Sequence, residues 1–384
     1  MRLPGRQLRT RFSKAYVNLF FMASCCGCGS AYNAPTPAPT VTPASSSTTV
    51  YTMENATTGN SVIAYQQSAD GTLSQAATFA TGGLGVGHGL ENQGALALSD
   101  DGKYLFVVNP GSNDVSAFQI TNHGLTQTGR VSSGGRLPVS VTEHGGLVYV
   151  LNRSGEAGDP AGDNISGLLL GTDGSLTPIP GSTVGLSAAS VNPAQIQFST
   201  DGSIIVVTEH GGGHIDTYAV DANGVAGGHV VHPSAGTEPF GFAFRNSTQL
   251  YVSEAGDGTA SSYTVGSQGA LQTISAAVQT QQRTACWLVI TPDKKTAYVS
   301  NTASGTISEF AIGVDGSLSL SASVAATTQG NPLDMAITPD GMYLNVLTTT
   351  GNIEVFRIDA STAGLTSVQV LTGLPAGSNG LVSF

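Results

Sequence analysis

The sequence predicts an all-β chain: a seven-bladed β-propeller of four-stranded antiparallel blades, its ring closed by the C-terminal strand pairing into the N-terminal blade. Three observations carry this reading. Runs with period-two alternation and β-branched or aromatic content, such as Tyr104-Leu105-Phe106-Val107-Val108, recur without helical periodicity. One phrase of strand, tight turn and strand repeats: residues 94–109 read GALALSDDGKYLFVVN, residues 285–301 ACWLVITPDKKTAYVSN and residues 332–347 PLDMAITPDGMYLNVL. A second hairpin follows each copy, turning at Asp70-Gly71, His123-Gly124, Asp173-Gly174, Asn223-Gly224, Gln268-Gly269, Asp315-Gly316 and Ala363-Gly364. Seven such turns, spaced by 45 to 53 residues, mean seven units, and four-stranded units at a period of about 40–50 residues are propeller blades.

Each unit supplies strands A to D, running from the axis outward. The first unit opens at Val50 with strand B and lacks A, while residues 380–384 form a lone A-like strand. Together they complete one blade. A closed ring is therefore expected over an open solenoid, since closure removes free sheet edges.

Ahead of the repeats, residues 1–29 have the layout of an export signal: Arg2, Arg6, Arg9, Arg11 and Lys14, then an apolar run over residues 15–23, then small residues. That run is far below the roughly 20 residues of a membrane-spanning helix. Met22-Ala23-Ser24-Cys25 resembles a bacterial lipobox, with Cys25 as the lipidated residue. Residues 30–49, mostly Pro, Thr, Ser and Ala, read as a spacer. The propeller then spans residues 50–384, in a periplasmic or cell-surface lipoprotein or else a secreted protein.

Composition narrows the partners. Only 10% of residues are charged and 50 are Gly, which excludes a coiled coil or a charge-solvated disordered chain. The formal charge is −11; five of the 14 Lys and Arg and none of the 25 Asp and Glu precede Val50, so the exported part carries nine basic against 25 acidic residues, or −16. Such a surface repels nucleic-acid backbones and anionic lipids. Membrane association is expected only through the lipid anchor, and a monomer is expected. Cys286 is the only cysteine after Cys28, so no disulfide staples the propeller. Neither the Cys25, Cys26, Cys28 cluster nor His210-Gly-Gly-Gly-His214 completes a metal or haem motif, and residues 82–89 precede a hairpin where a dinucleotide fingerprint must open a helix. No cofactor is expected.

Strand order sorts the loops. The A-B and C-D turns share one face, which is regular and reads as structural; Lys103, His123, His144, Arg245, Lys294 and Lys295 solvate it. The B-C and D-A connections share the other, irregular face. There the B strands end in Glu54, Asn109, Asn152, Glu209, Glu254 and Asn301, and His88, Arg136, Glu238, Arg283 and Asp334 precede or open A strands. A further arginine, Arg153, falls in the B-C insertion of the third blade. Asn and Glu at such positions also cap turns and bond neighbouring backbone.

With the repeats aligned, residues 50–384 resemble the lactonase family of seven-bladed propellers, which includes 6-phosphogluconolactonase and the fungal carboxymuconate lactonising enzyme. The resemblance rests on Ala297-Tyr298-Val299-Ser300-Asn301, similar to the YVTN-type strand, on the Thr-Pro-Asp turns at Thr291 and Thr338, and on the Asp-Gly-Ser-Leu turns at Asp173 and Asp315. It implies hydrolysis or formation of a small lactone. YVTN-type propellers without an assigned reaction resemble the chain equally, so a non-catalytic ligand- or protein-binding propeller is the alternative. Opening a lactone needs a base for water and a positive group where oxyanion charge develops. Glu209, His210 or Glu254 supply the first and Arg136 or Arg283 the second, with His88, Asn109, Asn152, Glu238, Asn301 and Asp334 binding substrate. With so few cations, a neutral lactone or monocarboxylate is expected in preference to a phosphorylated sugar lactone.

Overall fold

The computed structural model describes residues 48–154 and 162–384. The segment expected to be an export signal, Cys25, and all of the expected spacer but Thr48 and Thr49 lie outside them. Seven antiparallel sheets form the seven blades. The chain ends meet in blade 1, whose strands from A to D are Asn379–Ser383, Thr48–Met53, Ser61–Gln67 and Leu73–Ala80. Val50 pairs with Ser383 and Tyr51 with Val382. Thr49 and Phe384 exchange both backbone hydrogen bonds at 2.8 Å. The propeller thus begins two residues ahead of Val50, because Phe384 recruits Thr49 as its ladder partner.

The remaining A strands are Leu96–Leu98, Pro138–His144, Pro193–Phe198, Pro239–Asn246, Ala285–Ile290 and Pro332–Ile337. One blade departs from the four-strand pattern. In blade 3 the outer strand is split into Leu176–Pro178 and Val184–Gly185, both paired with Asn164–Leu170. Pro178 and Pro180 lack the N–H groups that a continuous ladder needs.

Blade-to-blade packing forms the core. Phe106, Tyr149, Tyr251 and Tyr298 occupy the third position of their B strands and are fully buried. The Tyr149 hydroxyl donates to the Gly224 carbonyl in the C-D turn of the next blade at 2.8 Å, and Tyr343 does the same to Ala69 at 2.9 Å. This seam explains the repeated turn glycines. Gly71 has φ +92°, and a Cβ there would lie 2.3 Å from the Tyr343 ring.

Candidate active site

The B-strand ends are equivalent in five blades where they carry Asn or Glu; in blade 1 the strand ends at Met53, and Glu54 follows it half-buried. Asn109, Asn152, Glu209, Glu254 and Asn301 are all completely buried. Each links the B-C corner of its own blade to neighbouring strand or to the D-A connection of the preceding blade. Asn109 donates to Asp114 at 2.7 Å and Ser116 at 2.9 Å, and accepts from Thr81 at 2.7 Å. Asn152 donates to the Ser133 carbonyl at 3.1 Å and Asn301 to Ser308 at 2.8 Å. In Glu254, Oε1 accepts from Ser234 Oγ at 2.9 Å and the Gly236 N–H at 2.8 Å, while Oε2 accepts from Thr259 at 2.7 Å and Ser261 at 2.8 Å. Four good donors saturate that carboxylate.

Glu209 accepts from the Ser187 N–H at 2.8 Å and from the Ser187 hydroxyl. It also faces Asp216, whose carboxyl is pushed up to about 8 by burial and by the Glu209 charge. The His214 ring nitrogen Nδ1 lies 3.8 Å from Glu209 Oε2. Among the described residues no group of three or more His, Cys, Asp and Glu is arranged to hold a metal ion.

The side chains that meet around the axis on this face are one residue further along. Arg153 and His210 directly follow strand B in blades 3 and 4; Asn192 and Glu238 directly precede strand A in blades 4 and 5. Arg153 Nη1 donates to Asn192 Oδ1 at 2.8 Å, Asn192 Nδ2 lies 3.4 Å from His210 Nδ1, and His210 Nε2 lies 3.4 Å from Glu238 Oε2. Burial lowers the Arg153 guanidinium below its ordinary range, opposed by the charges of Glu91 and Asp163, yet an arginine remains protonated there. The His210 ring sits edge-on to Phe240 at 5.4 Å, and Phe240 edge-on to Trp287 at 5.1 Å. Trp287 in turn donates to the Asn92 carbonyl at 2.8 Å.

The backbone that aims these groups is strained. Leu137, Asn192 and Glu238 have φ of +46°, +47° and +57°, and each precedes a proline. Left-handed backbone at a non-glycine residue costs about 1–3 kcal/mol and gathers at functional sites, and a following proline disfavours compact conformations further. The neighbouring corner holds it in place: the Ala255 N–H donates to the Glu238 carbonyl at 2.9 Å and the Arg153 N–H to the Leu137 carbonyl at 3.1 Å.

The other expected site residues stand apart from this row. Arg136 is exposed, one residue ahead of Leu137. Arg283 is exposed, its backbone N–H donating to Ser304 at 2.9 Å and its guanidinium lying 3.4 Å from the Ala303 carbonyl, over the B-C turn of blade 6. His88 is exposed on the connection into blade 2, with Nδ1 3.0 Å from the Gly89 carbonyl. Asp334 is buried in the A strand of blade 7, accepting from the Met335 N–H at 2.8 Å and the Leu381 N–H at 3.2 Å. Burial pushes its carboxyl up to about 8. Cys286 is buried and its thiol is pushed up to about 12 by desolvation, far from a nucleophilic thiolate.

The axis holds a cavity of about 500 Å³. Six of the seven A strands line it, with Pro292, Lys294 and Pro339 at its rim, so it opens toward the A-B turns rather than toward the His210 face. The regular face is therefore not uniformly closed.

The family model described as Lactonase, 7-bladed beta-propeller matches residues 41–159 and 271–384. Asn192, His210 and Glu238 lie between the two matched stretches. Among solved structures, a candidate 6-phosphogluconolactonase from Bacteroides fragilis NCTC 9343 is 20% identical over 89% of this chain and 99% of that one, with a TM-score of 0.72. The periplasmic gluconolactonase PpgL of Pseudomonas aeruginosa is 18% identical over 88% and 98%, with a TM-score of 0.69. A Lactobacillus plantarum protein is 19% identical over 88% and 99%, with a TM-score of 0.72. At these identities the likeness is one of fold. No curated protein matches the chain.

Proposed function

Since the chain belongs to the Lactonase family of 7-bladed β-propellers, we propose that it opens a small lactone by hydrolysis at the face of the B-C and D-A connections. The observation that supports this is the row from Arg153 through Asn192 and His210 to Glu238. It offers a base and a cation side by side, the two groups that ester opening requires. With the Asn192 amide donating to Nδ1, the His210 proton sits on Nε2 and is directed at Glu238. A water that takes the place of the Asn192 amide at Nδ1 gives up its proton to that nitrogen as its oxygen forms a bond to the lactone carbonyl carbon. Glu238 steadies the resulting imidazolium. Arg153 faces the oxyanion, and collapse breaks the ring C–O bond, the alkoxide taking the proton back from His210. The products are a hydroxy acid with no net change of oxidation state.

One arginine in this row, on a chain with 25 acidic residues, suits a neutral or singly carboxylated lactone better than a phosphorylated one. The basic N-terminus, short apolar run and Met22-to-Cys25 box support export and lipidation at Cys25; the mass of the mature N-terminus tests that. Saturation of Glu254 by structural donors favours one other reading, a propeller that binds without turnover. Purified protein assayed against neutral, carboxylated and phosphorylated lactones separates them. Hydrolysis of the first two classes is expected, and inactivity on all three leaves the binding reading.

A further inference from the structure

Gln93 lines the axial cavity. Its backbone N–H donates to the Ala194 carbonyl at 3.0 Å and its carbonyl accepts from Ser140 at 2.7 Å. Its amide exchanges both bonds with Leu288, Nε2 to the carbonyl at 3.1 Å and Oε1 from the N–H at 3.3 Å. Blades 3 and 4 thus hold the backbone of Gln93, on the connection into blade 2, and blade 6 holds its side chain. In blade 5, a Cβ at Gly241 would lie 2.1 Å from Gln93 Oε1. The Gln93 amide is thus packed between blades 5 and 6 at the wall of the cavity.

The compartment has a ligand's dimensions, its about 500 Å³ falling within the roughly 300–1,000 Å³ of small-molecule sites. Phe242, Leu288, Ile290, Ile337, Leu381 and Val382 give its wall an apolar part, and Gln93, Gln195, Gln197, Thr338 and Ser383 a polar one. Two of the glutamines differ in how their amides are spent. Gln195 spends its amide on Phe242, accepting from the N–H at 2.7 Å and donating to the carbonyl at 2.9 Å. Gln197 only accepts, from Gln195 at 3.5 Å, which leaves its own Nε2 donors without a partner among the described residues. At the rim, Lys295 pairs with Asp293 at 3.8 Å, whereas Lys294 makes no ion pair among the described residues.

We propose that this compartment is a second, non-catalytic site for a small monocarboxylate bearing an apolar chain or ring. The apolar part fills the A-strand wall, while the carboxylate meets Lys294 and the Gln197 amide. Charge at one end and hydrocarbon at the other match the Lys294 rim and the apolar part of the A-strand wall.

Sodium octanoate is the probe, with octanol and octylamine as controls, followed by calorimetry and by fluorescence of Trp287, the sole tryptophan, adjacent in sequence to Leu288. Octanoate saturates at one per chain, and both controls bind at least about tenfold more weakly. Lys294→Glu, an exposed change, weakens octanoate by about tenfold or more and leaves lactone turnover untouched. Ala336→Trp, which fills the cavity, abolishes binding; should that variant fail to fold, the Lys294→Glu titration decides. His210→Ala leaves octanoate binding unchanged. Absence of saturable binding, equal binding of octanol or octylamine, or indifference to Lys294→Glu overturns the site and leaves a water-filled channel. The titration needs no turnover, so it stands whether or not the chain opens lactones.

Discussion

Replacing Asp334 by Asn should flatten the pH dependence of stability. Asp334 joins two A strands, that of blade 7, in which it lies, and the closing strand Asn379–Ser383, whose Leu381 N–H it accepts at 3.2 Å. Burial raises its carboxyl to about 8 from an ordinary 3.8. Between pH 5 and 7 the folded chain therefore keeps a proton that the unfolded chain has released. Stability is complete below the unfolded value near pH 4 and declines as pH rises toward 8. One proton of difference corresponds to about 1.4 kcal/mol per pH unit, or about 3 kcal/mol over that interval. Asn is neutral in both states and removes this contribution. It also turns an amide donor toward one of the two N–H groups, so the variant starts out weaker by about 1–3 kcal/mol at pH 5. Urea unfolding of both proteins at pH 5, 6 and 7 gives the test. The gap between them should move by about 3 kcal/mol in favour of the variant from pH 5 to 7; parallel curves would refute a buried, protonated Asp334.

Three further outcomes follow from the same geometry. Asp216→Asn should shift the balance in the same direction, raising stability at pH 7 relative to pH 5, because burial and Glu209 hold the Asp216 carboxyl up to about 8; a pH-independent difference in urea midpoint would contradict a raised Asp216 carboxyl. Deleting residues 380–384 removes buried Leu381 and the paired bonds of Thr49 with Phe384, a loss of about 5 kcal/mol, read as a large drop in melting temperature; an unchanged melting curve would deny that the ring is held by its ends. Glu254→Ala strands the donors of Ser234, Gly236, Thr259 and Ser261 and should cost about 3 kcal/mol or more in urea, with activity per folded molecule retained.

The ring was legible because the evidence for it is local and repeated. Seven C-D turns and two complementary chain ends suffice to count blades and close them. The split outer strand of blade 3 was signalled too, by Pro178 and Pro180, once the ladder's need for N–H groups is applied. The site was harder to read for a reason visible at Glu209 and His210. Both stand on the same face, yet the last residue of strand B turns into the seam and the next turns to the axis, so a shift of one position separates a saturated carboxylate from a usable imidazole. The same shift separates Arg136 from the row and admits Asn192, which no polar-residue census singled out; its signal was Asn or Glu directly before the proline that opens strand A. The axial cavity was not legible at all. Its wall depends on Gln93 meeting Leu288, 195 residues away, and no local pattern announces that contact.

The row on the His210 face is tested most directly by kcat/KM on a lactone that the wild type opens, measured for Arg153→Ala, His210→Ala and Glu254→Gln. Loss of the base should lower it by about 10²–10⁴ and loss of the guanidinium by about 10²–10³, with Glu254→Gln near wild type. Wild-type rates in the first two variants, or a collapse confined to Glu254→Gln, would contradict the assignment.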